Sequence, residues 1–177
     1  MLSAADQNGV LTGTVPIGFA DVTDGTSQVI LASEQVVAGI GGTQNGRAAY
    51  RYAPNAFPSS MPASWPTWQQ VFAWGTNCSN STVSSTRVGR KWHRGLPGQT
   101  AFNTLLPPNV WLPNCSNHCP DGCDSDGPGL YAARSHHTGG VQVLLVDGSV
   151  RFVAEQLDIQ LWYRLGARND GATLGEF

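Results

Sequence analysis

Residues 134–177 read RSHHTGGVQVLLVDGSVRFVAEQLDIQLWYRLGARNDGATLGEF. Within this stretch an apolar run over 141–146 and a second run over 149–154 are separated by Asp147-Gly148. Two β-branched-rich runs joined by Asp-Gly predict a β-hairpin over 141–154, closed by a two-residue type I′ turn whose two central residues take positive φ. A short amphipathic helix, roughly 158–166, is expected to follow. Further upstream, residues 28–38 (QVILASEQVVA) are rich in Val and Ile and alternate loosely, which favours a strand. Asp24-Gly25-Thr26-Ser27, just before it, has side chains suited to closing a turn against backbone N–H groups. The expected fold class is therefore α+β and β-rich: an antiparallel sheet containing 28–38 and the hairpin, with a short helix and long loops.

The 177 residues fit a single domain, 1–177, and a domain of that size buries about two thirds of its unfolded surface. Only 12% of residues are charged, beside 21 Gly, 11 Pro and six Trp, so helices with charged outer faces are few. A net charge of −2 and one lysine, Lys91, provide no basic stripe for phosphates, which excludes nucleic acid as the expected partner. No apolar run reaches the roughly 18 to 20 residues that span a bilayer.

Residues 54–127 read as a loop-rich, insertion-like region, with no internal repeat. Pro54, Pro58, Pro62 and Pro66 argue against regular structure over 50–66, and 78–87 (CSNSTVSSTR) reads as an exposed polar loop. Glycine-rich 39–46 lacks the Lys-Ser/Thr of a phosphate-binding loop and reads as a flexible turn. Trp65, Trp68, Phe72 and Trp74 suit either an aromatic platform for a glycan or peptide or, more simply, core packing, since Trp68 and Phe72 are one helical turn apart.

Three sets of residues carry the types needed for chemistry. His136, His137, Asp147 and Ser149 are the types of a hydrolytic triad, yet Ser149 lacks a Gly-x-Ser-x-Gly elbow and Asp147 is already explained by the turn. Asp121, Asp124 and Asp126 can supply hard oxygens to Ca²⁺, although their spacing is not that of an EF-hand loop. Cys115, His118, Cys119 and Cys123 offer soft ligands to Zn²⁺ without paired C-x₂-C knuckles. Four cysteines, Cys78, Cys115, Cys119 and Cys123, are simplest as disulfides formed in an oxidising compartment. They allow three pairings, and the entropy of closing a long loop favours Cys78 with one of the later three. Glu34 is expected to partner Arg151 or Arg134, or to lie at an exposed strand end.

Three ordered blocks carry a family resemblance. The His pair, Gly139-Gly140, VQVLLVDGSVRF and the Leu-Trp-x-x-Leu-Gly of 161–166 resemble the C-terminal signature of DUF1559 proteins, which are abundant in planctomycetes and related bacteria. ADVTDGTSQVILASEQ (20–35) and FNTLLPPNVWLPNC (102–115) resemble two further blocks of that family. The resemblance implies a pilin- or pseudopilin-like globular head, in which Gly139, Gly140, Asp147, Gly148 and Trp162 mark the fold. Full-length members begin with a prepilin-type helix, so the chain is read as a fragment lacking that element, with membrane contact only through it. Pseudopilins also raise the prospect of Ca²⁺ in a C-terminal loop. The expected function is a structural, non-catalytic subunit at the cell surface or outside the cell, assembling with itself or with other pilin-like subunits. The two competing readings are a secreted hydrolase or metalloenzyme using the His136/His137 and Asp147 region, and a glycan- or peptide-binding module using the aromatics of 65–74.

Overall fold

The computed structural model describes residues 8–12, 15–37, 48, 50–57, 65–85, 88–96, 99–117, 129–175 and 177. After a 3₁₀ turn at Phe19–Asp21, the order of elements is β1 (Ile30–Ser33), β2 (Tyr50–Tyr52), α1 (Trp68–Ser79), β3 (Val83–Ser85), β4 (Asn114–Ser116), β5 (Gly129–Leu130), β6 (Gly140–Leu145), β7 (Val150–Ala154) and α2 (Ile159–Leu165). They form an α+β arrangement with two sheets.

The first sheet has the order β1-β6-β7 and is antiparallel throughout. It contains the anticipated hairpin, but the turn differs from the expected type I′. Gly148 N–H donates to Leu145 O (3.0 Å) and Leu145 N–H to Ser149 O (2.9 Å), so the loop has three residues. Gly148 has φ +88°, whereas Asn109 is the one non-glycine with positive φ among the described residues. This is a type I turn followed by a glycine bulge, in which the single left-handed position falls on glycine and Asp147 avoids it. β1 is shorter than the expected 28–38. Beyond Ser33 the Glu34 carboxylate, not a strand carbonyl, accepts the N–H of Gln142 (2.7 Å), and the ladder stops there.

One face of this sheet, with Ile30, Val141, Val143, Leu145 and Val153, packs against Trp162, Tyr163 and Leu165 of α2. Asp158 caps α2 by accepting N–H bonds from Gln160 (2.9 Å) and Leu161 (3.1 Å), matching the expected helix start. Trp162 is fully buried, and its indole N–H donates to Leu106 O (2.8 Å). Gly140 is required by close approach: a Cβ there would lie 2.2 Å from Val153 O and 2.6 Å from the Phe152 ring.

The second sheet, β3-β2-β4-β5, was not anticipated. β2 and β4 pair in parallel, Tyr50 opposite Asn114 and Tyr52 opposite Ser116. Tyr-Arg-Tyr makes a strand where the prolines of 50–66 argued for none, because those prolines all follow it. The expected loop over 78–87 is likewise corrected: Cys78 and Ser79 end α1, and Val83–Ser85 is β3. Thr67 and Gln70 form a reciprocal capping box at the start of α1, and the helix buries Val71, Gly75 and Cys78. Cys78 and Cys115 are joined by a disulfide that ties α1 to β4.

Candidate functional site

The polar residues of the C-terminal signature lie at opposite ends of β6. Before the strand, His137 Nε2 sits 3.1 Å from Glu34 Oε1, while the other Glu34 oxygen holds Gln142 N–H. Glu34 thus partners His137, not Arg151 or Arg134 through their side chains; Arg134 contributes only its backbone N–H, donated to Glu34 O (2.9 Å). His136 is exposed. After the strand, Asp147 Oδ1 accepts both the hydroxyl (2.7 Å) and the N–H (2.8 Å) of Ser149. These bonds, the hydroxyl's first, hold the Asp147 carboxyl below the usual carboxylate range. The six residues of β6 separate the two ends by about 17 Å at the usual rise of a strand. The structure therefore does not bring His136 or His137 to Asp147 and Ser149, and the Ser149 hydroxyl faces a carboxylate, not an imidazole.

Asp121, Asp124 and Asp126, with His118, Cys119 and Cys123, lie outside the described residues. Cys115 is committed to Cys78, which withdraws one thiolate from the set considered for zinc. Among the described residues no three His, Cys, Asp or Glu side chains gather as metal ligands.

Sequence reasoning missed a buried polar network around the second block. Arg134 is 0% exposed. Its Nη1 donates to Val110 O and its Nη2 to Leu112 O, both at 2.5 Å, and Nε and Nη2 reach Asn114 Oδ1 at 3.4 and 3.3 Å. Asn114 Oδ1 also accepts Ala132 N–H (3.1 Å). Asn109, at φ +54°, accepts Ser135 N–H (2.8 Å) and donates from Nδ2 to Gly140 O (2.9 Å). Asn103 donates to Gly129 O (2.8 Å). The three asparagines of the FNTLLPPNVWLPNC block thus act as backbone substitutes that stitch an irregular loop to neighbouring strands.

That loop displays Trp111, 65% exposed, beside Phe72 of α1, 41% exposed. Their ring centroids are 6.2 Å apart in a T-shaped contact, and Phe72 lies 5.7 Å from Trp68. Trp65 meets Tyr163 edge-on at 6.0 Å, and Trp74 packs near Phe57. Core packing holds for Trp74 and for the half-buried Trp68, while Phe72 and Trp111 face outward. Trp111 had no local signal beyond its own residue type.

No curated protein and no solved structure matches the chain. The model of the family described as "Protein of unknown function (DUF1559)" matches residues 3–160. It covers all of the second block, the first block and the hairpin, whose residues hold the loop and strands described above, and the chain belongs to the DUF1559 family.

Proposed function

We propose that the chain is the non-catalytic globular head of a pilin- or pseudopilin-like structural subunit displayed outside the cytoplasm. The observation that carries this is the open face of the first sheet. Ala32, Leu144 and Val150 form one cross-strand row, and Gln142 and Phe152 the next. Val150 is 62% exposed and Phe152 46%, and Ala32 and Leu144 are half-buried. α2 takes the opposite face. An antiparallel sheet with apolar side chains on both faces calls for a covering layer on each. A pilin-type amphipathic helix has the shape and chemistry to provide it. The Cys78–Cys115 bridge agrees with an oxidising compartment. Among the described residues, no helix is long and apolar enough to cross a membrane.

The test replaces Val150 and Phe152 together by Asp in the native gene. Expected is loss of assembled, shear-releasable material from the cell surface, while the 177-residue chain with the same substitutions still folds cooperatively with a melting temperature lowered by only a few degrees, because both side chains are largely exposed. Normal assembly of the double variant would refute the proposal.

A further inference from the structure

We propose that Trp111 and Phe72, flanked by Trp68 and Gln69, form a contact surface for a neutral polysaccharide. Trp111 is exposed on a backbone that is not free to move. The carbonyls on either side of it, of Val110 and Leu112, are both gripped by the buried Arg134 guanidinium, and Leu112 is itself fully buried against α1 and its neighbours. An indole carries roughly 150–250 Å² of mostly apolar surface, and a fixed backbone that turns it outward keeps that surface in water while holding it ready for a partner. Pre-organisation of this kind removes the ordering cost of binding. The T-shaped contact with Phe72 and the adjoining Trp68 extend the surface into a row of three rings.

The chemistry of the partner follows from the segments that carry the rings. Residues 52–86 and 95–117, which supply α1 and the Trp111 loop, contain no Asp, Glu, Lys or Arg. An acidic or basic partner would find no counter-charge on either segment, so nucleic acid, charged peptide and anionic lipid are poor fits. The polar groups present are neutral amides and hydroxyls. Gln69 and Asn77 of α1 are exposed, and Gln69 lies one turn from Phe72, on the same flank of the helix. A pyranose offers the matching surface: an apolar face of C–H bonds to stack on an aromatic ring, and hydroxyls at its edge to bond an amide. A proline-rich peptide shares the liking for exposed indoles but has no hydroxyl edge for the amides, and it is the alternative the test separates.

The test titrates the 177-residue protein with cellohexaose, xylohexaose, mannohexaose and chitohexaose, and separately with a polyproline peptide, following the indole N–H resonances of the tryptophans and measuring affinity by calorimetry. Expected is that at least one hexasaccharide shifts the Trp111 indole. Trp111→Ala should then weaken binding at least tenfold and Phe72→Ala several-fold. Trp92→Ala, which removes an even more exposed indole (81%) beside Lys91, should leave binding unchanged. Raising salt from about 50 to about 500 mM should change the affinity less than twofold, since no charge pair is formed. Equal melting temperatures of the three variants exclude unfolding as the cause. Failure of all four saccharides to move the Trp111 indole, undiminished binding by Trp111→Ala, or binding of the polyproline peptide alone would each overturn the proposal.

Discussion

Replacing Arg134 by Met probes the bond network that fixes the Trp111 loop. Methionine keeps much of the aliphatic stem and removes the guanidinium fork. Among the described residues, Val110 O, Leu112 O and Asn114 Oδ1 lose a donor. Leu112 and Asn114 are fully buried, Val110 is half-buried, and Asn114 keeps the Ala132 N–H. Each buried acceptor left short costs about 1–3 kcal/mol, and the half-buried carbonyl less because water reaches it. Against this stands the desolvation of the guanidinium, several kcal/mol that the variant no longer spends. In the native protein that cost is offset by charge-assisted bonds worth about 1.5–3 kcal/mol each. The balance leaves a loss of about 2–4 kcal/mol, roughly 6–12 °C in melting temperature for a loss near 3 kcal/mol in a chain of this size. Urea unfolding followed by tryptophan fluorescence, with the disulfide intact and the m-value unchanged, measures it. Arg134→Lys should be at least as damaging, because a point ammonium cannot span two carbonyls while its charge stays buried. A loss under about 0.5 kcal/mol for Arg134→Met would refute the reasoning, showing that the bonds merely balance the burial cost.

Further outcomes follow from the same geometry. Replacing Cys78 and Cys115 together by Ala opens a crosslink of sequence separation 37 and should cost about 4 kcal/mol in unfolding free energy on the chain-entropy account, measured by urea titration. Burial pushes the Tyr163 phenol up to about 12, above the roughly 10 of an unfolded chain. The folded state therefore keeps a proton that the unfolded state has lost, so this group's contribution is complete below pH 10 and disappears as pH rises from 10 to 12. The Tyr163 hydroxyl has no hydrogen-bond partner among the described residues. Melting curves of Tyr163→Phe should thus match or exceed wild type at pH 8 and gain on it steadily above pH 10; an unchanged difference would count against the burial account. Glu34→Ala strands Gln142 N–H and releases His137, for an expected loss of about 1–3 kcal/mol, whereas His136→Ala at an exposed site should stay within about 0.5 kcal/mol.

Much of the first sheet was legible because its signals are local. Two β-branched-rich runs over 141–154, the Asp-Gly between them and the amphipathic stretch of 158–166 each act within a few residues. The second sheet was not legible. Its strands have two or three residues, and the pairing of Tyr50 with Asn114 is parallel and joins parts of the chain far apart in sequence, so no short window contains the evidence. The buried network was hidden for a related reason. An arginine in the sequence reads as surface, and the acceptors that arrive from 110–114 help make a dry site tolerable for Arg134. The same holds for Glu34, whose expected arginine partners were reasonable by charge and wrong by register, since the end of β1 delivers it to His137. His136 and His137 looked catalytic beside Asp147 and Ser149 in one dimension, and the length of β6 pulls them apart.

The turn closing the hairpin decides which side chains the sheet shows to solvent. A two-residue type I′ loop at Asp147-Gly148 would set Val146 against Ser149, and by counting back along the strands Val143 against Phe152 and Leu145 against Val150. Both aromatic and valine would then enter the core with the residues of β6 that α2 covers. The three-residue loop instead sets Val143 against Arg151 and Gln142 against Phe152, and a slip of one residue exchanges the two faces of a strand. Val153 now points inward, Arg151 reaches over the Phe177 ring, and Val150 and Phe152 point out. The apolar character of the open face is therefore built into the register, and Gly148 at positive φ is the residue that permits it. Ser149, bonded twice to Asp147, holds the loop in that form. Asp147 and Ser149 thus serve the outward display of Val150 and Phe152, which is the surface on which the structural role proposed for this chain depends.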